Sequence, residues 1–127
     1  EHLALGRHGE NLARDYLCRK GLKFLTANFK GAHGEIDLIF RGGACLVFVE
    51  VKTRTGVGLT RPGKAVDRDK KKALARTARE YLRQLDDPRA PYRFDIVEVI
   101  LEGDAVLEIR HIEHSFNTAG LWQRRRR

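Results

Sequence analysis

The sequence predicts an α/β fold: a mixed central sheet flanked by helices, in the order αβββαββ. Three observations carry that expectation. Apolar residues recur at helical spacing over Leu5 to Lys20 and over Val66 to Leu85, while five shorter runs are rich in β-branched and aromatic residues. At 127 residues the chain suits one hydrophobic core, which we place in a single domain over 1–114, followed by a basic C-terminal tail over 115–127.

Helix one is expected from Leu5, Leu12, Ala13, Tyr16 and Leu17, with Gly21 as its C-terminal stop. Glu10 falls at the edge of that stripe, facing inward, and its bland reading is a boundary residue paired with Arg14. His8 lies on the polar face. Leu22 to Phe29 reads as a strand, and Gly31 to Gly34 turns the chain, with His33 as a loop residue. Ile36 to Phe40 and Ala44 to Val51 flank Arg41-Gly42-Gly43 and predict a hairpin. Along it, Glu35, Asp37 and Ile39 should share one face, and Phe48, Glu50 and Lys52 another.

Thr53 to Gly63 reads as a loop rich in small residues and carrying Arg54 and Arg61, of the kind that binds ligands on a rigid scaffold. Helix two places Leu74, Ala78, Tyr81, Leu82 and Leu85 on one stripe, with Asp67 and Asp69 at its N-terminal end. Lys70 and Lys71 are phosphate contacts or part of a solvated face. Tyr92 to Leu101 and Ala105 to Ile112 complete the sheet, and His111 and His114 read as surface residues.

The net charge of +8 points to an acidic partner such as nucleic acid, although Arg124 to Arg127 supply four of those charges and leave +4 for the rest. Cys18 and Cys45 are too few for a disulfide framework, which suggests thiols in a reducing, cytoplasmic setting. No apolar run reaches membrane-spanning length. The chain lacks methionine, so Glu1 is not expected to be the encoded start.

Glu50 and Lys52 end what otherwise reads as a buried strand, and charges there must be paired or hold a metal. If the hairpin register sets Asp37 across from Glu50, two carboxylates about 4 Å apart repel by ~4 kcal/mol at an effective dielectric near 20 and ask for a cation. Oxygen donors point to Mg²⁺ or Mn²⁺, with the Val51 carbonyl as a further ligand and Lys52 placed to hold water or to stabilise charge on a phosphate.

Asp37 followed by Glu50-Val51-Lys52 resembles the PD-(D/E)xK nuclease signature. More closely, Gly34-Glu-Ile-Asp-Leu-Ile39, Phe48-Val-Glu-Val-Lys-Thr-Arg54, Gly9-Glu10 and the segment from Val66 to Leu82 are similar to the YraN-like bacterial family, itself similar to archaeal Holliday-junction resolvases. The likeness runs from about Arg7 to Val99, and Ile36 stands where the signature has its proline. It implies a restriction-endonuclease-like fold with Asp37 and Glu50 as metal ligands, Lys52 as the catalytic lysine and Glu10 as an auxiliary acid. It further implies a metal-dependent endonuclease acting on structured or branched DNA, with a homodimer as its assembly. A nuclease fold that binds nucleic acid without cutting, and a plain Glu50–Lys52 ion pair, are the competing readings.

Overall fold

The structure, a computed structural model, describes residues 2–55, 68–86, 89–116 and 118. Its elements are α1 (His2–Arg19), β1 (Lys23–Lys30), β2 (Glu35–Gly42), β3 (Cys45–Thr55), α2 (Arg68–Gln84), β4 (Tyr92–Glu102) and β5 (Ala105–Phe116), in the expected order αβββαββ. The five strands form one mixed sheet in the order β1-β2-β3-β4-β5, antiparallel except where β3 runs parallel to β4. Such an arrangement is consistent with a restriction-endonuclease-like architecture.

Alternation along the strands gives the sheet two apolar faces, and each helix covers one. Ala13 and Leu17 of α1 pack with Leu38, Phe40, Val47, Val49, Val97, Val99 and Leu101, flanked by partly buried Leu5, Leu12 and Tyr16. On the other face, Leu74, Ala75, Ala78, Tyr81 and Leu82 of α2 meet Ile36, Ile39, Leu46, Phe48, Phe94 and Ile96. Both helical stripes therefore do what their spacing requires, except that Leu85 lies beyond the end of α2 and is 42% exposed. Once the helix has stopped, the chain no longer turns that side chain inward.

Two strands outrun their sequence limits. β3 continues from Val51 to Thr55 because Lys52 to Thr55 pair in parallel with Glu98 to Leu101. β5 continues from Ile112 to Phe116, and so takes in two residues read as tail. The Phe116 ring stacks on Phe94 at 4.6 Å, and the Ser115 hydroxyl donates to the Phe94 carbonyl at 2.9 Å. Two-residue turns join β2 to β3 and β4 to β5, with Gly43 and Gly103 at positive φ. Both cysteines are free thiols. Among the described residues no helix is long and apolar enough to cross a membrane. Most of the small-residue loop, including Arg61, lies outside the described residues, as do Val66, Asp67, Asp87, Pro88 and the arginine tail.

Candidate functional site

Leu38 faces Val49 at the last pair of the β2–β3 ladder, which leaves Asp37 and Glu50 as the next facing positions. There the Val51 N–H donates to Asp37 Oδ2 at 2.8 Å, tying the carboxylate of one strand to the backbone of the other. On the far side of β2, the ladder with β1 pairs Ala27 with Leu38 and Phe29 with Ile36, and between them Asn28 takes a left-handed conformation with φ of 55°. Local alternation breaks at this point. Ile36 joins Ile39 on the α2 face, so the single face expected for Glu35, Asp37 and Ile39 is not a regular one.

Glu10 reaches this place because α1 lies close to β3. A Cβ on Gly9 would overlap the Thr53 side chain, so only glycine permits the approach. Next to it, Glu10 accepts a hydrogen bond from the Asn28 side chain. Its sequence-level partner Arg14 is instead turned over the Phe24 ring, 5.1 Å from its centroid. Glu50 is nearly enclosed, and Lys70 Nζ from the first turn of α2 stands 3.3 Å from its Oε2.

The acids lie within electrostatic reach of one another. Burial first, and then the charge of Glu50, push the Asp37 carboxyl up to about 7, against the Val51 N–H bond that lowers it; Glu10 and Glu35 add to the rise. Glu10 is raised too, by burial, then by Glu35 and more weakly by Glu50, while Asn28 and Arg7 oppose. The structure thus brings together Glu10, Asp37 and Glu50, together with a fourth acid, Glu35, to which the sequence reading gave no role. Its spacing of two residues from Asp37 was the available signal. Among the described residues, no three His, Cys, Asp or Glu side chains stand close enough to form a ready-made metal cage. The donors are nonetheless all oxygen, and a carboxylate whose pKa burial and neighbouring acids raise to about 7 is the chemistry that suits a hard divalent cation.

Lys52 is partly buried on β3, beside Glu98 in the parallel ladder. Glu98 is fully buried, with Arg54 Nε at 3.4 Å and Arg110 at 3.9 Å. Arg54 is therefore engaged inside the sheet, and that engagement is why a strand with charges at Lys52 and Arg54 can pair at all. Lys70 stands at the acids, and Lys71 lies over the Phe116 ring at 5.4 Å. Arg61 lies outside the described residues.

One assignment is corrected outright. His111 is not a surface residue: its side chain is 2% exposed, with Nε2 2.8 Å from Asp95 Oδ2 and Nδ1 2.8 Å from Lys20 Nζ. Burial alone would raise the Asp95 carboxyl, but His111, the His114 N–H and Arg93 outweigh it and hold the group below the usual carboxylate range. Nothing in an alternating polar strand marks one histidine for burial. Its partner comes from another strand.

Comparison with known proteins agrees with this architecture in extent. Residues 9–99 match the model of the uncharacterised protein family UPF0102. The chain is 39% identical to a UPF0102 protein of Rhodococcus opacus over 115 residues, covering 91% of this chain and 98% of that one. It is 42% identical to one of Symbiobacterium thermophilum over 113 residues, covering 89% and 96%. The matched segment runs from Gly9, where α1 meets β3, through Asp37, Glu50 and Lys70 to Val99 of β4, and the chain belongs to the UPF0102 family.

Proposed function

We propose that the protein is a metal-dependent endonuclease that hydrolyses phosphodiester bonds in structured or branched DNA. The observation that supports it most is the Asp37 carboxyl raised to about 7 amid Glu50, Glu10 and Glu35. Such a gathering costs folding stability, and proteins accept costs of this kind at functional sites. Asp37, Glu50 and the Val51 carbonyl would hold Mg²⁺ or Mn²⁺. When bound, the cation supplies Lewis-acid polarisation of a phosphate oxygen and a more acidic water. The Val51 N–H orients Asp37, and Lys52 offers positive charge where negative charge builds on a phosphate. Glu10, with its raised affinity for protons, suits holding or passing one. The PD-(D/E)xK resemblance supports the same roles and extends the proposal to a homodimer in the cytoplasm.

Labelled branched, duplex and single-stranded DNA, and RNA, incubated with Mg²⁺ or Mn²⁺, provide the test. Cleavage is expected for branched DNA, with a loss of about 10²-fold or more in Asp37→Ala. That variant should bind DNA as well as the parent or better, since a repelling charge is gone. Equal cleavage by parent and variant would remove Asp37 from the site. A second reading, a binding module that does not cut, is favoured by Lys70 at 3.3 Å from Glu50, a cation supplied by the chain itself. In the same panel it predicts bound, intact DNA.

A further inference from the structure

The face that α2 turns to solvent carries mostly positive charge. Seven of its residues are Lys or Arg, against Asp69 and Glu80 alone. At ~100° per residue, Arg68, Lys72, Arg76, Arg79 and Arg83 fall within an arc of about 80°, away from buried Leu74, Ala78 and Tyr81. All but the partly buried Lys72 are exposed. At ~1.5 Å per residue the row is about 22 Å long.

Amphipathicity asks only that this face be polar, and mixed Glu–Lys pairs at i, i+4 would serve it better. The row instead sets like charges at that spacing, Arg68 with Lys72, Lys72 with Arg76, and Arg79 with Arg83, which disfavours the helix taken alone. Of the two acids, Glu80 feels Arg83 of the row but is also held by the loop: it accepts from the Ala32 N–H at 3.0 Å and lies 3.2 Å from His33 Nδ1, anchoring the segment that leads into Glu35 and Asp37. At the N-terminal end of α2, on the opposite side of the helix from the row, Lys70 reaches Glu50.

We propose that this row is a docking surface for the phosphate backbone of double-stranded DNA, laid along α2 from the Glu50 end toward Gln84. A duplex carries one charge per ~1.7 Å of its axis, both strands counted, and fixes the phosphates along its groove rims, so that a rigid row of cations can meet several at once without ordering the partner. A flexible single strand must be ordered to do the same and gains less. The inference rests on the nucleic-acid reading of the acidic site and does not depend on turnover.

The test is a fluorescence-anisotropy titration of the full chain, in chelator, with a labelled duplex and a single strand of equal length over a series of KCl concentrations. Arg76→Gln/Arg79→Gln/Arg83→Gln is compared with the parent, and each single change is measured too, so that a triple variant that folds poorly does not end the experiment. For the triple variant, duplex affinity should fall at least ~10-fold at low salt, and the slope of log K against log salt should flatten by about 2 to 3, or ~0.9 per single change. An unchanged slope would overturn the proposal. So would a parent that holds the single strand as tightly as the duplex, or a row whose loss weakens binding to phosphatidylserine vesicles and not to duplex. Without metal no cleavage is read, so a site that never cuts leaves a positive result standing. A protein that cuts but keeps its salt slope loses the docking row and keeps the nuclease reading.

Discussion

Asp37 keeps a proton that an ordinary aspartate would have given up. Its folded pKa of about 7 lies above the unfolded value near 3.8, so between those values the folded chain binds more protons than the unfolded one. Stability therefore falls as pH rises through this window, and the full penalty, at most ~4 kcal/mol, applies above pH 7. Asp37→Asn, which still accepts from the Val51 N–H, should melt several degrees above the parent at pH 8 in chelator and match it near pH 4. Calorimetric melts across that range check it, and a variant no more stable at pH 8 would contradict the crowding of acids. The sequence already marked Glu50 and Lys52, because charges at the end of an apolar strand need a reason, and Asp37 as the residue able to face Glu50 across the hairpin. It did not mark Glu35 or Asn28, whose roles depend on a left-handed residue within the ladder between β1 and β2. Nor did it mark Asp95 and His111, where each side chain is the other's reason for burial.

Among the elements, the approach of α1 to β3 has the narrowest tolerance. Gly9→Ala gains helix propensity but drives a methyl into Thr53, and overpacking of this kind costs about 1–3 kcal/mol. Thr53→Ala in the same chain should recover a good part of the loss, because it removes the nearest atoms. A double-mutant cycle read by urea unfolding measures that coupling, and additive effects would mean that α1 does not rest on Thr53. Periodicity made all seven elements legible, because each helix and strand buries a face at its own repeat. It misjudged where β3 and β5 end. The charge of Arg54 looks like a loop until Glu98 lies beside it, and Phe116 looks like tail until its ring meets Phe94.

At the scale of the molecule, β1, β2 and β3 form one meander of near neighbours, and β4 with β5 forms a hairpin. The parallel ladder between β3 and β4 joins them, and its connection must travel out through α2 and back. Local pairs close cheaply, whereas this ladder pays for a long loop before its contacts form, so the joining of the two halves is expected to set the folding rate. Val97→Ala, at the buried centre of β4, should slow refolding in proportion to the stability it removes. Phe24→Ala, on outer strand β1, should chiefly speed unfolding. Stopped-flow chevrons for the two variants separate these effects, and the reverse pattern would place the slow step within the meander. The strand that waits for its last neighbour is the one bearing Glu50 and Lys52, so the chain cannot present its charged centre to a partner until it has committed to being folded.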